Sequence, residues 1–353
     1  MNIKIGVIGL GYVGAPLAAA FSKKYAVLGY DINKQKVSAL NSARAEMGAV
    51  YTSNSDDLWD CTVYIVTVPT PVDIHFKPDM SFLSSASELV ARHLKIGDYV
   101  IYESTVYPGA TEEFCLPILE DISNLSLNKD FYLGYSPERV SPGGDGKPVT
   151  EVVKLTSGSN SDAAKFIDTL YKKIITAGTF QAASIKVAEA AKVLENTQRD
   201  VNIALVNECS RIFSDLSINT SDVIAAASSK WNFHAYRPGL VGGHCIGVDP
   251  YYLIAKAEVR GLSSDLIKTA RNINESMADR VVKDMLFEIS ERKKEGVIAK
   301  ILVCGFTFKE NCEDVRNSKV ANIVMGLSAH DIPLDIYDPV ADTCVMEEMY
   351  NLK

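Results

Sequence analysis

The sequence predicts an α/β protein with three domains: a doubly wound parallel sheet at the N-terminus, a central domain around one long helix, and a smaller α/β unit at the C-terminus. Short apolar runs alternate with helical segments in the first half, residues 183–216 contain neither proline nor glycine, and the pattern of the first strand returns near residue 300. We place the domains at 1–182, 183–296 and 297–353, because 353 residues exceed what one core usually serves.

The N-terminal segment predicts a βαβ unit. We expect a buried strand over Ile3–Ile8, a helix over Ala15–Lys23 and a second strand over Ala26–Tyr30 that ends at Asp31. The turn between the first strand and the helix has the dinucleotide-binding spacing, with which helix N-terminal amides approach a pyrophosphate. Its glycines are Gly9, Gly11 and Gly14.

An acidic residue after the second strand predicts which dinucleotide binds. Asp31 can accept hydrogen bonds from the adenosine ribose hydroxyls and would repel a 2′-phosphate, which favours NAD over NADP. One alternative is a tight turn that binds no nucleotide. The other is a signal peptide over residues 5–22, which the glycine spacing disfavours.

Three further apolar runs, Cys61–Val68, Tyr99–Tyr102 and Phe131–Tyr135, predict more strands of the same sheet. Each run is followed by a polar turn, at residues 69–71, 103–105 and 136–138. Ligands of open α/β sheets bind beyond the carboxyl ends of the strands, so we expect the three turns to surround one site.

The middle of the chain predicts long helices. Ala183–Leu216 favours one helix of about nine turns, which either bridges domains or forms a dimer seam. A second helical stretch is expected over Leu266–Lys294, and Lys293–Gly296 is typical of a domain boundary.

The last segment repeats the opening in outline. Lys300–Phe306 resembles residues 4–10, and Asp335–Asp338 resembles residues 28–31, so a second βαβ unit is predicted. It lacks the complete glycine pattern and is expected to hold something other than the dinucleotide. Two predicted strands are few for a sheet of this type, so we expect the chain to stop within a longer domain.

The composition narrows the function classes. A formal net charge of -8 argues against a general nucleic-acid binder. The seven cysteines are scattered without a Cys-x-x-Cys pair, which favours a reducing, cytoplasmic compartment. No segment after residue 22 is apolar enough to span a membrane, and no metal-ligand set is recognised, so neither a membrane nor a metal is expected.

Cys245 is the candidate nucleophile. Gly242, Gly243 and Gly247 remove side chains from around its sulfur, and Asp249 could orient a water or carry a proton. A thiol beside a nicotinamide can hold an aldehyde for a second oxidation, which predicts oxidation of an alcohol to an acid. The alternative is a small buried apolar residue.

Lys192, Asn196 and Glu138 are further candidates. The first two lie four residues apart on the long helix, where they would donate to an oxyanion or form part of a solvated face. Glu138 follows a predicted strand and could activate water or be a loop charge. Lys309 and Arg316 are interpreted, on their own, as surface charges.

Seven blocks of sequence resemble the UDP-glucose/UDP-mannuronate dehydrogenase family, in order and over essentially the whole chain. The blocks are Gly9–Gly14, Val68–Pro71, Glu103–Thr105, Ser136–Glu138, Glu189–Lys192 with Asn196, Gly242–Cys245 and Gly305–Lys309. The resemblance implies a Rossmann NAD-binding domain, a central dimerisation domain, a C-terminal UDP-binding domain and a homodimer. It implies a four-electron, NAD-dependent oxidation of C6 of a UDP-sugar.

The resemblance also implies roles for individual residues. Cys245 would form the thiohemiacetal and thioester, and Lys192, Asn196 and Asp249 would handle the oxyanion, water and proton. Glu138 would serve thioester hydrolysis and Thr105 would position water. The implied cofactor ligands are Gly9, Gly11, Tyr12, Val13, Gly14, Asp31, Lys36, Pro69, Thr70, Ser104, Thr105 and Arg316. The implied substrate ligands are Glu138, Arg139, Val140, Lys192, Asn196, Tyr236, Arg237, Gly243 and Lys309.

Within this family the chain is similar to the branch that acts on UDP-N-acetylhexosamines. Gly247-Val248-Asp249 stands where UDP-glucose enzymes carry Pro-Lys-Asp or Gln-Lys-Asp, and Pro142 stands where they carry a second glutamate. The implied product is a UDP-N-acetylhexosaminuronate of gluco, galacto or manno configuration, for capsule or O-antigen synthesis. The alternatives are a UDP-glucose 6-dehydrogenase, a two-electron β-hydroxyacid dehydrogenase and a non-catalytic NAD-binding module.

Overall fold

The structure, a computed structural model, describes residues 3–42, 48–140, 146–294 and 300–352. These residues form two compact units. The first holds the described residues of 3–140, 146–193 and 251–256, and the second holds those of 194–250 and 257–352. The predicted boundary at residues 293–296 lies partly outside the described residues, as does Pro142.

The first unit contains one eight-stranded sheet in the order β3-β2-β1-β4-β5-β6-β7-β8. The strands are β1 Lys4–Ile8, β2 Ala26–Tyr30, β3 Val50–Thr52, β4 Val63–Val66, β5 Tyr99–Tyr102, β6 Tyr132–Tyr135, β7 Lys154–Gly158 and β8 Thr179–Gln181. All five strands that the sequence predicts within residues 3–135 are present. Strands β3, β7 and β8 were not predicted.

The sheet is not wholly parallel, which corrects the sequence-based expectation. Strands β1 to β6 are parallel, but β7 runs antiparallel to β6, with Gly134 opposite Gly158. A parallel return would need a crossover of a dozen or more residues, usually a helix. In the described part of the β6–β7 connection, the only helical turn is the three-residue 3-10 helix Val149–Glu151.

Helices cover both faces of this sheet. They are α1 Gly14–Ser22, α2 Lys34–Ser42, α3 Ser81–His93, α4 Leu116–Ser123 and α5 Ser161–Lys172, with a π-helical turn at Thr111–Cys115 and a 3-10 turn at Ser55–Leu58. Alternate residues of β4 enter different cores: Tyr64 and Val66 pack with one cluster, Val63 and Ile65 with the other. Side chains of a strand alternate between its faces, so a sheet buried on both sides reads as a continuous apolar run.

The remaining helices confirm the predicted helical middle. They are α6 Ile185–Asp215, α7 Thr220–Ala227, α8 Asp249–Val259, α9 Asp265–Glu275 and α10 Met277–Lys294. Helix α6 differs from the predicted range by one or two residues at each end. The predicted stretch over Leu266–Lys294 consists of two consecutive helices, α9 and α10, which meet at Ser276.

The end of the chain forms the predicted second βαβ unit. It consists of β9 Ile301–Cys304, α11 Lys319–Ser328, β10 Leu334–Tyr337 and α12 Thr343–Tyr350. Strands β9 and β10 are parallel. Phe306, Val315, Ala321, Val324 and Met346 form the buried cluster between these elements.

Candidate functional site

The glycine turn after β1 has the geometry that a dinucleotide requires. Gly9 has a φ of +93°, and a Cβ on Gly14 would lie 1.8 Å from the carbonyl oxygen of Gly9. The turn therefore closes tightly, and α1 begins at Gly14. At Gly11, no atom of the described residues lies within 4 Å of where a Cβ would be, so the backbone there is open to a ligand. Tyr12 is exposed and Val13 is the N-cap of α1.

Asp31 is anchored beside this turn. Its Oδ2 accepts hydrogen bonds from the Leu10 backbone N–H at 2.9 Å and from the Lys36 Nζ at 3.0 Å, and its Oδ1 accepts from the Asn33 N–H at 2.9 Å. Burial alone would raise the pKa of Asp31, but these hydrogen bonds lower the pKa below its ordinary value. The carboxylate therefore stays ionised at neutral pH, which fits the ribose of NAD and disfavours a 2′-phosphate.

The three polar turns lie at one edge of the sheet, as the sequence predicts, because β4, β5 and β6 are neighbours and parallel. The Ser104 hydroxyl donates to the Val68 carbonyl oxygen at 2.6 Å, which joins the second turn to the first, beside Pro69 and Thr70. The Ser136 N–H donates to the Tyr102 carbonyl oxygen at 2.9 Å. Thr105 directly follows Ser104.

Glu138 is held at this edge by its own turn. Its Oε1 accepts the backbone N–H of Arg139 at 2.7 Å and that of Val140 at 2.6 Å. Its Oε2 lies 3.6 Å from the Nζ of Lys154 on β7. The Arg139 guanidinium donates to the Val153 carbonyl oxygen at 3.0 Å. Glu138 is thus paired with a cation and is not a freely solvated loop charge.

Lys154 is a candidate functional residue that was not predicted from the sequence. Its Nζ lies 2.6 Å from Oε2 of Glu103, whose other carboxylate oxygen accepts the hydroxyl of Tyr171. Burial alone lowers the pKa of Lys154, but the charges of Glu103 and Glu138 outweigh it and hold the pKa above its ordinary value. A lysine within the apolar run Val152–Leu155 was the available signal.

In the second unit, the loop before Cys245 packs against the loop that follows β9. A Cβ on Gly242 would lie 2.5 Å from the Asn317 carbonyl oxygen. Gly243 has a φ of +76°, and a Cβ there would lie 2.6 Å from the Phe308 ring. The Asn317 side chain donates to the Gly243 carbonyl oxygen at 2.8 Å, and the Gly243 N–H donates to the Asn317 carbonyl oxygen at 3.1 Å.

Cys245 lies next to the start of α8. The backbone N–H groups of Val248 and Asp249 donate to its carbonyl oxygen at 3.0 and 2.8 Å. The Asn196 side chain donates to Oδ2 of Asp249 at 2.5 Å, so these two candidates are brought together. Cys245 is partly exposed, which contradicts its interpretation as a buried apolar residue.

Lys192 lies one turn before Asn196 on α6 and is buried. The interpretation of this lysine as part of a solvated face is therefore wrong. A buried ammonium requires compensation and is a candidate for function rather than for solubility.

Arg316 is oriented by Asp314. Its backbone N–H and Nε donate to Oδ1 of Asp314 at 3.0 and 2.9 Å, and its Nη2 donates to Oδ2 at 2.8 Å. Nδ1 of His244 lies 3.5 Å from the same Oδ2. Burial, and then the charge of Arg316, lower the pKa of His244 below its ordinary value, so it is neutral at pH 7. Lys309 is partly exposed, and its carbonyl oxygen accepts the Thr307 hydroxyl at 2.9 Å.

The last two candidates, Tyr236 and Arg237, lie in the segment between α7 and α8. Arg237 is exposed and Tyr236 is partly buried. Within the described residues, no group of three or more His, Cys, Asp or Glu side chains could hold a metal ion. No helix in the described ranges is long and apolar enough to cross a membrane.

Three sequence profiles of the UDP-glucose/GDP-mannose dehydrogenase family match this chain. The NAD binding domain matches residues 3–175, the central domain 186–276 and the UDP binding domain 302–353. The UDP-N-acetyl-D-glucosamine 6-dehydrogenase of Pseudomonas aeruginosa is 50% identical over 350 residues, covering 96% of this chain and 83% of the relative. An enzyme with the same description from Salmonella typhi is 46% identical over 363 residues, covering 99% and 85%.

The fold also matches a solved structure. The UDP-D-ManNAc dehydrogenase of Pyrococcus horikoshii superposes with a TM-score of 0.87 at 32% sequence identity, covering 96% of this chain and 84% of that chain. The α/β fold with an NAD-binding, a central helical and a UDP-binding domain, inferred above from the motifs, is thereby confirmed.

Proposed function

This chain belongs to the UDP-glucose/GDP-mannose dehydrogenase family, and from that premise we propose that it oxidises C6 of a UDP-N-acetylhexosamine to the carboxylic acid. The observation that carries the choice of substrate is the identity of 50% and 46% to two UDP-N-acetyl-D-glucosamine 6-dehydrogenases. We therefore expect UDP-N-acetylglucosamine to be the preferred substrate and the product to serve surface polysaccharide synthesis.

The cofactor is NAD, which accepts one hydride in each of two oxidation steps when it is bound. The open backbone at Gly11 and the ionised Asp31 support its binding. In the first step, Lys192 and Asn196 stabilise the alkoxide that forms as C6 becomes an aldehyde. Preorganised donors suit this role because they need no reorganisation when the charge appears.

The thiol of Cys245 then adds to the aldehyde carbon and gives a thiohemiacetal. The second hydride leaves that carbon, and a thioester remains on the sulfur. Asp249 is placed to relay the proton released at this stage. Its support is the hydrogen bond from Asn196 to Oδ2 and its position on the first turn of α8, four residues after the nucleophile.

Hydrolysis of the thioester completes the reaction. Water attacks the acyl carbon and Glu138 accepts a proton from that water; the C–S bond then breaks, and that proton passes to the leaving sulfur, which restores the thiol of Cys245 and the carboxylate of Glu138. Thr105 would position the water. Arg139, Val140, Tyr236, Arg237, Gly243 and Lys309 would bind the rest of the UDP-sugar, and Arg316 would contact the cofactor.

The substrate is tested by supplying UDP-glucose and the three UDP-N-acetylhexosamines named above with NAD, and by analysing the products by mass spectrometry. We expect the uronate from UDP-N-acetylglucosamine to form at least about tenfold faster than from UDP-glucose, since pocket hydrogen bonds to the acetamido group discriminate the two sugars. A preference for UDP-glucose would contradict the proposed substrate class.

We also propose that the chain forms a homodimer through α6. Five apolar residues on this helix or directly after it are between 48% and 61% exposed: Val187, Leu194, Leu205, Ile212 and Leu216. At 3.6 residues per turn they fall within about 40° of one another, on one stripe. An apolar stripe of this length is a typical helix–helix interface.

The dimer is tested with Leu205→Glu, which we expect to convert a dimer to a monomer in light scattering after size exclusion. The matched control is Ile96→Glu, which changes an exposed apolar residue that is not part of α6. A wild-type monomer at micromolar concentration, or a dimer that survives Leu205→Glu, contradicts this interface.

We retain the domain boundaries 1–182, 183–296 and 297–353 and a cytoplasmic location as proposals. Each of the three profile matches falls inside one of these ranges, which supports the boundaries. All seven cysteines lie in described ranges and none forms a disulfide, which supports a reducing compartment. Limited proteolysis tests the boundaries, with cuts expected near residues 183 and 296.

A further inference from the structure

A buried lysine, Lys154, lies between two carboxylates, those of Glu103 and Glu138. Lys154 is 2% exposed, and its Nζ is 2.6 Å from Oε2 of Glu103 and 3.6 Å from Oε2 of Glu138. The Tyr171 hydroxyl donates to the other oxygen of Glu103, and its ring centroid lies 5.4 Å from the Lys154 Nζ. Lys154 is thus held by Glu103 directly after β5, by Tyr171 of α5 and by Glu138 in the turn after β6.

Stability alone does not explain this arrangement. Glu103 and Lys154 form a neutral pair, and a neutral buried pair can often be replaced by apolar residues at little cost. Glu138 adds a second carboxylate beside this pair, and crowding two carboxylates around one ammonium in a poorly hydrated place is unfavourable. Such crowding of charged groups is typical of functional sites.

The two oxygens of Glu138 are held differently. Oε1 accepts two backbone N–H groups, from Arg139 and Val140, and is therefore occupied. Oε2 faces the ammonium of Lys154 at 3.6 Å, which is longer than an ordinary hydrogen bond. The ammonium therefore attracts Oε2 without taking up its lone pairs in a short contact. A carboxylate that receives a proton from water needs one such oriented oxygen.

We propose that Lys154 is a positioning residue for thioester hydrolysis, which holds Oε2 of Glu138 toward the attacking water while Glu103 and Tyr171 hold Lys154. This inference rests on the proposed function, because it assigns the water-activating role to Glu138. Lys154 itself neither gains nor loses a proton. The proton passes from water to Oε2 of Glu138, and Lys154 acts through the orientation of that oxygen.

The test uses three variants of the full chain with UDP-N-acetylglucosamine and NAD. Lys154→Met removes the ammonium, Glu103→Gln with Lys154→Met removes both charges of the pair, and Lys154→Arg keeps a cation. Each is examined in a single turnover, in which NADH absorbance reports the two oxidation steps and intact-protein mass reports the acyl adduct on Cys245. Thermal melting and NAD binding confirm that each variant is folded.

We expect Lys154→Met and the double variant to slow hydrolysis by about 30- to 100-fold, less than the loss of a general base itself, because Glu138 is still present. The two oxidation steps are expected to remain within about threefold of wild type, so the acyl adduct accumulates. Lys154→Arg is expected to restore hydrolysis to within about tenfold of wild type. The control Lys165→Met, an exposed lysine on α5, is expected to behave as wild type.

The double variant separates positioning from folding, because it removes both charges of the buried Glu103–Lys154 pair together. If it is folded and hydrolyses the adduct at the wild-type rate, Lys154 is structural and the inference is wrong. A uniform slowing of all three steps overturns it as well. Glu138→Gln separates failure of the Lys154 inference from failure of the proposed function. If Glu138→Gln accumulates the acyl adduct, the proposed function stands. If neither Glu138→Gln nor wild type ever forms an adduct on Cys245, both proposals fail.

Discussion

The two βαβ units of this chain share a frame and differ in one loop. In each, a glycine with positive φ follows the first strand, Gly9 at +93° and Gly305 at +87°. Each glycine N–H donates at 2.8 Å to the backbone carbonyl oxygen of the last residue of the second strand, which is Tyr30 in one unit and Tyr337 in the other. An aspartate follows each second strand and accepts backbone N–H groups of the glycine turn: Asp31 from Leu10, and Asp338 from Phe306 and Thr307.

The loops after these glycines lead to different outcomes. In the first unit α1 begins at Gly14, directly after a turn whose backbone is open at Gly11. In the second, α11 begins only at Lys319, and the intervening loop carries Phe308 and Asn317 to Gly243. The same frame therefore leaves a helix N-terminus open to a ligand in one place and supports the cysteine loop in the other. The two units therefore differ in the length of the loop after the first strand and not in their strands.

The largest effect is expected from a change in the glycine turn after β1, and it should appear in the affinity for NAD. In Gly14→Ala the new Cβ would collide with the Gly9 carbonyl oxygen, which is backbone and cannot move without opening the turn. We expect the Kd for NAD to rise by more than about 100-fold, with about 1–3 kcal/mol lost from the free energy of unfolding. Titration calorimetry with NAD measures this. Gly239→Ala should bind NAD normally, because among the described residues an added Cβ there would meet no atom within 4 Å other than those of Gly239 and its two chain neighbours.

A change where the long loop after β9 meets Gly243 is expected to lower kcat and to leave NAD affinity nearly unchanged. Gly243→Ala would force a residue at a φ of +76° against the Phe308 ring and displace the cysteine loop. A displacement of about 1 Å costs on the order of 100-fold in rate, so we expect kcat to fall by about that factor. NAD binding is expected to stay within about twofold of wild type. A large loss of NAD affinity in this variant would erase the contrast between the two loops.

A smaller effect isolates the hydrogen bond to Gly243. Asn317→Asp keeps the shape and tolerates the positive φ of 53°, but it removes the amide that donates to the Gly243 carbonyl oxygen. We expect the hydrogen bond that holds the loop to be worth about 1–2 kcal/mol, so kcat should fall by about 5- to 30-fold by the usual conversion. Steady-state kinetics measure the change. An unchanged kcat would show that the side-chain amide of Asn317 is not needed to hold the loop.

The smallest effect concerns the aspartate of the first unit. The pKa of Asp31 is lowered in the folded chain, so its contribution to stability is present above the unfolded pKa of about 4 and is lost as pH falls through the folded pKa. Asp31→Asn is therefore expected to lower the free energy of unfolding by about 1 kcal/mol at pH 7 and by less at pH 3. Urea unfolding at the two pH values measures this, and a pH-independent difference would exclude the ionised carboxylate as the cause.

Local features were predictable where the sequence marks both ends of an element. Strands β2 and β5 have the predicted bounds, because Asp31 and Glu103 terminate their apolar runs. Strand β7 was missed because Leu155 is the one large apolar residue among its five, and its first residue, Lys154, is compensated by Glu103, 51 residues away. Strands β3 and β8 contain three residues each, too few for a periodic pattern.

The sequence indicated candidate residues through their chemistry, but it did not indicate the contacts that hold them. The glycine spacing and the cysteine loop indicated Asp31 and Cys245, since their roles depend on residue type and neighbours in sequence. The contact of Asn317 with Gly243 joins residues 74 positions apart, and that of Asn196 with Asp249 joins residues 53 apart. Such pairs depend on how the chain folds back, which spacing does not encode.

The most direct measurement of the central claim is the number of NADH molecules formed per UDP-N-acetylglucosamine consumed, in wild type and in Cys245→Ser. We predict two NADH per sugar and a uronate product for wild type, and a loss of uronate formation by several orders of magnitude in Cys245→Ser, because the covalent route disappears. One NADH per sugar in wild type, or uronate formation at a near-normal rate without the thiol, would contradict the account.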